Sequence, residues 1–460
     1  MFGRGRIRGV AAACAGAIAL TAVASVFLGT QACSTPSGAP AKAPEAVKIG
    51  ASIALTNALA GSGAPLRNAI RAAEGQINAN GGLLGRPVQF IVVDDTSDET
   101  ATAGSVIQTT AQKLIDQGVV AFLGPVGSSQ VLAMQNITYG KQVIQLASNA
   151  TSPNLATAQP AHDRYLFRTT PADDLQARAV VRFAMVGPAG IAGDAGASVA
   201  CSKMAIFHIN NAYGNAMSKV IQSYFPQKLA TVQLKDVVVD VDVKDNYQTE
   251  VATIAAFKPD CMAVITYEPN ADQLMSDLTA YKMTNPGVFP ASFFVIGTDG
   301  IFTADFINNG RTNKSDPNSP TVAEGVYGTN PDTNPPTSEY GDFRTIYQAY
   351  FPGGEPEPFS ANMYDAAILV ALAIEQAGSV TDHVKIRDSL YDVSKDGKVF
   401  GPGELGEALQ AIRAGVNIDY KGASGPVDID DNGNVVSNYI VWKVVGGKFS
   451  TLGRISAQGL

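Results

Sequence analysis

Short hydrophobic stretches alternate with longer amphipathic ones from Val47 onward. The short stretches predict buried β-strands, and the longer ones, with apolar residues at helical spacing, predict α-helices. The first strands predicted are Val47–Leu55, Val88–Asp95, Val119–Val126 and Val143–Ser148, with helices over Gly63–Asn80, over Glu99–Gln117 and from Ser128. This alternation is typical of βαβ units, in which a parallel sheet carries helices on both faces.

The same alternation returns after a Gly- and Ala-rich loop at Gly187–Ala200. The strands predicted there are Met204–Asn210, Val232–Asp242, Cys261–Tyr267 and Phe293–Gly300, with helices from Tyr213, Asn246 and Asn270. Beyond Tyr327 the pattern predicts a Pro-rich crossing, two more helices and a hairpin around Asn432-Gly433. Two similar α/β lobes predict a cleft between them, where small ligands commonly bind.

Charge and composition exclude several classes of protein. The 460 residues include 33 Lys+Arg and 41 Asp+Glu, which gives a formal net charge of −8. Nucleic-acid binding needs a basic surface that displaces counterions from phosphates, so the acidic balance argues against it. With 46% hydrophobic and 16% charged residues, the chain is also unlike a disordered one. Its length predicts at least two domains.

Cysteine and histidine are too sparse for a metal centre or a catalytic triad. The four cysteines show no CxxC spacing, and His162, His208 and His383 lie far apart without an HExxH motif. No Gly-x-Ser-x-Gly or Ser-x-x-Lys motif marks a nucleophile. We therefore expect no metal, no cofactor and no catalytic residue.

The N-terminus is typical of an exported protein. Arginines at positions 4, 6 and 8 precede the uncharged apolar stretch Gly9–Leu28, which predicts a secretory signal peptide. A membrane anchor is the alternative, because the stretch approaches the ~18–20 residues that span a bilayer. Small residues before Cys33 and a Pro/Ala/Ser tract after it resemble a bacterial lipoprotein signal.

That resemblance implies a signal peptide over residues 1–32, acylation of Cys33 and an extended lipidated tether over 33–46. Thr30 stands where such signals usually have leucine, so secretion without a lipid is the alternative.

Two motifs have a simpler interpretation than a cofactor or metal site. Gly61-Ser62-Gly63 begins like a dinucleotide fingerprint, but Leu66 replaces its third glycine, so we expect the glycines to serve a turn beside a cleft. Asp428–Gly433 matches the first half of a calcium-binding EF-hand loop, but Tyr439 stands where a glutamate is required. A β-turn with Asn-Gly at its tip is expected instead.

Small polar residues follow two neighbouring strands of the first lobe. Ser128 opens a helix after the third strand, and Thr151 lies in the loop after the fourth. The first turn of a helix offers free N–H groups to an anion such as a carboxylate. Helix capping is the alternative role for both side chains. Because parallel strands end at one edge of a sheet, where ligands usually bind, we expect both residues at a ligand site.

These segments, in this order, resemble the leucine/isoleucine/valine-binding protein family, the type I periplasmic binding proteins of branched-chain amino-acid ABC importers. The segments that carry the likeness are Ile77–Gly82, Val93–Asp95, Gly124–Ser129, Ala147–Leu155, Asn211–Gly214, Gly297–Gly300, Tyr327-Gly328 and Met363–Ala366. The implied fold class is α/β, with two doubly wound Rossmann-like lobes joined by a three-crossing hinge.

The family's lobes are discontinuous, and the resemblance implies the same here. Lobe 1 would comprise residues 47–169 plus 328–436, and lobe 2 residues 170–327 plus 437–460. The expected crossings are Arg168–Pro171, Tyr327–Pro331 and Ser437–Ile440.

The resemblance also implies roles at the ligand site. Ser128 and Thr151 would bind a carboxylate through hydroxyl and N–H groups, and the carbonyl of Asn149 would accept from an ammonium group. Asp299 would pair with that ammonium across the closed cleft, although capping of the next helix is the alternative. Tyr213 would cover the ligand.

The pocket for the ligand's side chain is expected to differ from that of many relatives. Tyr267 lies near the expected site, and Ser62 stands where relatives that bind aliphatic amino acids often have an aromatic residue. A wider or more polar pocket is therefore expected.

The function implied is that of a non-enzymatic, extracytoplasmic lipoprotein. Anchored to the outer face of the cell membrane, or periplasmic, it would capture a small amino-acid-like solute as a monomer, with a branched-chain amino acid the leading candidate. An ABC permease and ATPase complex would receive the solute. The alternatives are an amide, urea or small carboxylate as ligand, a ligand-sensing subunit, and an enzyme on the same scaffold.

Two cysteines of the second lobe are expected to pair. Cys201 and Cys261 come at the starts of its first and third strands. In a doubly wound 2-1-3-4-5 order these strands are neighbours, about 5 Å apart at the same edge. Because an exported protein meets oxidising conditions, we predict a Cys201–Cys261 disulfide.

Overall fold

The computed structural model describes residues 44–97, 103–191 and 200–460. The predicted signal peptide, Cys33 and most of the tether lie outside these ranges. Within them, no helix is both long and apolar enough to cross a membrane.

The first sheet is entirely parallel and has the doubly wound order 2-1-3-4-5. Its strands are β1 (Val47–Ile53), β2 (Val88–Asp94), β3 (Val119–Leu123), β4 (Ile144–Ala147) and β5 (Leu166–Arg168). The helices between them are α1 (Ala60–Ala79), α2 (Ala103–Asp116), α3 (Ser128–Gly140) and α4 (Asn154–Thr157). The order β2-β1-β3-β4-β5 places the carboxyl ends of β3, β4 and β5 side by side.

The second series builds a separate sheet. Its strands are β6 (Lys203–Ile209), β7 (Gln233–Val239), β8 (Cys261–Ile265), β9 (Phe294–Gly297) and β10 (Tyr327–Pro331). Its helices are α5 (Asp173–Ile191), α6 (Ala212–Lys228), α7 (Gln248–Phe257), α8 (Glu268–Thr284) and α9 (Ala304–Asn309).

The last part of the chain returns to the first core and then to the second sheet. It contains α10 (Ser338–Tyr350), α11 (Ser360–Ala377), α12 (His383–Asp392), β11 (Lys398–Phe400), α13 (Leu405–Arg413), β12 (Ile418–Gly422), β13 (Gly425–Pro426), β14 (Tyr439–Val444) and β15 (Phe449–Ile455). The second sheet has the order β15-β14-β10-β9-β8-β6-β7, and β11, β12 and β13 form a third, small sheet.

Two hydrophobic cores define two lobes. The core on the five-stranded sheet, lobe 1, runs from Val47 to Phe167 and from Phe343 to Val435. The core on the seven-stranded sheet, lobe 2, runs from Ala177 to Val326 and from Tyr439 to Ile455. Helix α11 is apolar on nearly all sides because it is buried inside lobe 1 between α1, α12 and α13. The α/β, two-lobed architecture is as predicted.

Two local expectations differ from the structure. The crossing expected near Tyr327–Pro331 comes slightly later: these residues form β10, which pairs with β9 and β14 in the second sheet, and the chain enters the first core after it. Asn432-Gly433 lies in a turn without flanking strands, so the predicted hairpin there is wrong. The terminal hairpin is β14–β15, whose antiparallel strands follow that turn.

The predicted disulfide is confirmed. Cys201 and Cys261 are bonded, with their Cα atoms 5.7 Å apart. Strands β6 and β8 are neighbours, and Met204 lies opposite Cys261 in their register. The strand order therefore brings together two cysteines 60 residues apart in sequence.

Candidate functional site

A cavity of about 230 Å³ lies between the lobes at the carboxyl ends of their parallel strands. All seven residues expected at the ligand site line it: Ser62, Ser128, Asn149, Thr151, Tyr213, Tyr267 and Asp299. The structure thus brings together side chains from both sheets, although their contacts with a ligand stay predictions.

The lobe 1 wall combines the first turn of α3 with the loop after β4. Ser128 is the first residue of α3, where backbone N–H groups have no acceptor within the helix. Its hydroxyl accepts from the N–H of Ser152 at 3.2 Å. The N-cap residue of α3 is Gly127 and that of α4 is Pro153, so neither Ser128 nor Thr151 occupies the N-cap position of these helices.

The lobe 2 wall is centred on Asp299, directly after β9. The Tyr213 hydroxyl donates to its Oδ1 at 2.8 Å. Helix α9 is capped by Thr303, whose side chain accepts from the N–H of Phe306, so Asp299 does not serve as that cap. Burial raises the pKa of Asp299 to about 6, and the hydrogen bond from Tyr213 opposes the rise. A cation in the cavity would stabilise the ionised carboxylate.

Two tyrosines form an aromatic face beside Asp299. The rings of Tyr213 and Tyr267 are stacked, with centroids 5.8 Å apart and an interplanar angle of 7°. Asn211 caps α6 by accepting from the backbone N–H groups of Tyr213 and Gly214, and its Nδ2 donates to the Tyr267 hydroxyl at 3.1 Å. The cap therefore fixes both rings against the cavity.

Asp173 was missed by the sequence analysis. It is the first residue of α5 and is fully buried beside the site. Burial raises its pKa well above the usual range, the charge of Asp299 adds to the rise, and the Thr151 side chain opposes it. Asp173 follows β5, the neighbour of β4, so its place at the same sheet edge was the signal that could have found it.

The lobes touch at the edge of the cavity. The Ser152 hydroxyl donates to the carbonyl of Ala212 at 2.7 Å, and the N–H of Ala212 donates to Ser129 Oγ at 3.4 Å. On another side, Asp305 of α9 lies against the first turn of α1: a Cβ on Gly61 would be 2.6 Å from its Oδ2. The walls are therefore closed around part of the cavity.

The cavity is acidic. Asp299, Asp305 and Glu357 line it, and among the described residues no lysine, arginine or histidine lines it. Burial raises the pKa of Asp305, and the charge of Glu268 adds to the rise. Burial also raises the pKa of Glu357, and the charge of Asp305 adds to that rise. In the described ranges, no group of three or more His, Cys, Asp or Glu side chains is arranged to hold a metal ion.

Most of the other lining side chains are apolar. They include Leu59, Ala64, Pro65, Val126, Phe302, Ala304, Pro358 and Phe359. The cavity therefore offers an apolar surface for a side chain, acceptors for a cation, and a helix start for an anion.

Known proteins resemble this chain over most of its length. Residues 46–448 match the family model described as periplasmic binding protein. The Leu/Ile/Val-binding protein BraC3 of Rhizobium johnstonii is 24% identical over 386 residues, which cover 83% of this chain and 93% of that protein.

Solved structures share the fold. A leucine-binding protein, LivK of Thermotoga maritima, superposes with a TM-score of 0.70 at 20% identity, over 90% of this chain and all of that one. The solute-binding protein of an ABC transporter from Rhodopseudomonas palustris, solved with 3,4-dihydroxybenzoic acid, has a TM-score of 0.65 at 20% identity, over 90% of this chain and 98% of that one. The chain belongs to the periplasmic binding protein family, which consists of extracytoplasmic substrate-binding proteins that serve ABC transporters.

Proposed function

We propose that this protein captures an amino acid, most favourably a branched-chain one, and delivers it to an ABC importer. The observation that carries the proposal is that one wall of the cavity suits an anion and the facing wall suits a cation. The first turn of α3, with Ser128, suits a carboxylate, and Asp299 suits an ammonium group. An α-amino acid is a small solute that carries both groups on one carbon atom.

Charge favours a zwitterion over a simple organic acid. An aromatic acid such as the one bound by the Rhodopseudomonas palustris protein would leave Asp299 buried without a cation. Within the part of the chain that the structure describes, no basic side chain lines the cavity to offset that anion. An amide or urea is the second candidate, because its N–H groups can donate to Asp299, Asp305 and Glu357.

Closure would follow from the division of the site between the lobes. Ser128, Asn149 and Thr151 belong to lobe 1, and Tyr213, Tyr267 and Asp299 to lobe 2. Only the closed form satisfies both ends of an amino acid, so the ligand shifts the equilibrium by its differential affinity for that form. We keep the predicted lobe boundaries, except that residues 328–331 go with lobe 2 because β10 pairs there.

Attachment to the membrane rests on the sequence of the N-terminus. We propose a cleaved signal peptide over 1–32, a lipid on Cys33 and a tether over 33–46, with the protein acting as a monomer beside its permease and ATPase. Labelling with a radioactive fatty acid tests this: wild type should incorporate label and Cys33→Ala should not. Label in both proteins, or in neither, would contradict the lipid site.

A thermal-shift panel of amino acids, amides, urea and aromatic acids, followed by calorimetry, tests the ligand class. We expect branched-chain amino acids to raise the melting temperature most and to be recovered chemically unchanged. Stabilisation by an aromatic acid with no response to any amino acid would refute the proposal. Turnover of the bound compound would reveal an enzyme, and failure to co-purify with a permease would favour a sensing subunit.

A further inference from the structure

Arg168 ends β5 and is fully buried behind the loop that follows β4. Its Nη1 donates to the carbonyl oxygens of Thr151 at 2.9 Å and of Ser152 at 3.0 Å. Among the described residues, no carboxylate oxygen lies within 4.0 Å of a nitrogen of this guanidinium. A buried cation solvated mainly by carbonyl groups is costly, so its position calls for a reason.

The contacts of Arg168 continue to the cavity wall. The peptide group between Thr151 and Ser152 presents its carbonyl to Arg168 and its N–H to Ser128 Oγ, at 3.2 Å. Because Ser128 Oγ accepts there, its own proton remains available to a group in the cavity that Ser128 lines. A cation at one end of such a chain polarises each donor after it.

A turn outside the cavity holds the guanidinium in place. Asn434 Oδ1 accepts from Arg168 Nε at 2.8 Å and from Nη2 at 2.6 Å. Asp430 Oδ1 accepts from the N–H groups of Asn432 and Asn434, both at 2.8 Å, and the carbonyl of Gly433 accepts from the N–H of Arg168 at 3.0 Å. The motif that resembled half of a calcium loop therefore folds around Arg168.

We propose that Arg168 is a positioning residue of the carboxylate subsite, held by the turn Asp430–Asn434. It fixes the Thr151–Ser152 peptide and, through that peptide, directs the hydroxyl of Ser128 toward the ligand anion. This rests on the proposed function in that the anion is taken to be an amino-acid carboxylate. It goes further by assigning anion recognition in part to a residue outside the cavity.

Arg164 provides a matched control. It is also fully buried, and it donates from Nε to the carbonyl of Leu166 at 3.0 Å and from Nη2 to that of Leu155 at 3.1 Å. Its contacts are of the same kind but reach the carbonyls of α4 and β5 rather than the Thr151–Ser152 peptide. Replacing either arginine by methionine removes comparable buried bonds, but only the Arg168 replacement removes bonds to the carbonyl groups of Thr151 and Ser152.

Hydrogen exchange of the ligand-free protein is the first measurement. Arg168→Met and the milder Asn434→Ala should speed exchange in a peptide that contains Ser152 by about tenfold or more relative to Arg164→Met. Asn434→Ala keeps the experiment decisive if the methionine variant fails to fold. Unchanged protection of that peptide in Asn434→Ala would overturn the proposal.

Calorimetry with L-leucine and L-leucinamide is the second measurement. Arg168→Met and Asn434→Ala should lower the affinity for leucine at least about tenfold more than the affinity for leucinamide. Arg164→Met should lower both affinities equally. Arg168→Lys should lower the affinity for leucine less than Arg168→Met does. Equal losses for both compounds in Asn434→Ala and Arg168→Met would mean a merely structural role and overturn the proposal. If wild type binds no amino acid, the proposed function fails, and the exchange result alone decides whether Arg168 positions the loop.

Discussion

Replacing Asp299 by asparagine removes a charge from the site while keeping its shape. The amide oxygen of Asp299→Asn can still accept from the Tyr213 hydroxyl, which lies 2.8 Å from Oδ1 in the native protein. The backbone after β9 is undisturbed, because Thr303 rather than Asp299 caps α9. The substitution therefore removes the negative charge while keeping the hydrogen bond from Tyr213.

The expected loss of affinity is large. Asp299 is nearly inaccessible to solvent, and burial raises its pKa to about 6, so its ionised form is destabilised until a cation arrives. Removing one partner of a buried charge pair costs on the order of 2–5 kcal/mol, or roughly thirty- to several-thousand-fold in affinity. The ligand-free protein should be at least as stable as wild type, because an uncompensated buried charge is gone.

Calorimetric titration with the best-binding amino acid and thermal denaturation without ligand measure both effects. Asp305→Asn is the control: it removes a carboxylate from the same cavity, but one that is less buried, and should cost about 1 kcal/mol or less. Ser128→Ala should cost about 1–2 kcal/mol, since N–H groups of α3 still bind the carboxylate. An Asp299→Asn variant that binds like wild type, or is less stable without ligand, would refute the reasoning.

Three further outcomes are expected. In the ligand-free folded protein the pKa of Asp299 is about 6, above the usual 3.8, so lowering the pH through about 6 protonates it and favours folding. Affinity for an amino acid should fall over the same pH range, by up to about tenfold per pH unit, because the ammonium group loses its anionic partner. Calorimetric titrations and denaturation at several pH values check the sign of both effects. Gly61→Ala should crowd Asp305 across the cleft and leave the radius of gyration larger with ligand than in wild type. Replacing Cys201 and Cys261 by serine should lower the free energy of unfolding by about 2–4 kcal/mol in urea, and thiol labelling of unreduced wild type should find neither cysteine free.

The strands could be predicted because a strand that is buried on both faces of a sheet appears in the sequence as a short continuous run of apolar residues. Strand β8 was predicted from Cys261 to Tyr267 and is observed from Cys261 to Ile265. The disulfide followed from the same reasoning, since strand order decides which ends are neighbours. The gathering of Ser128 and Thr151 at one cavity was likewise predictable, because parallel strands end at a common edge.

Residues that act through tertiary contacts left no local signature. Asp173 has the pattern of an acidic residue at a helix start, which is common and stabilising in any protein. Strand β10 contains Pro331, which suggested a crossing, yet Pro331 sits at the strand's end opposite Tyr439, where a missing N–H is tolerated. At Asn432-Gly433 the turn was predicted correctly, but Arg168 and Asp430 use backbone groups that a hairpin would have paired.

The balance between the lobes' own contacts and the ligand's contacts decides how the protein responds to its solute. Away from the crossings and from helix α5, which follows the first of them, the described residues show two hydrogen bonds across the cleft, from Ser152 to Ala212 and from Ala212 to Ser129. At about 0.5–1.5 kcal/mol each, these neutral bonds stabilise closure by about 1–3 kcal/mol before the entropy of ordering is subtracted. A buried pair between an ammonium group and Asp299 contributes as much or more. A compound that fills the cavity without that cation should therefore bind weakly and also leave the open form populated, which makes closure itself selective for the ligand's charge.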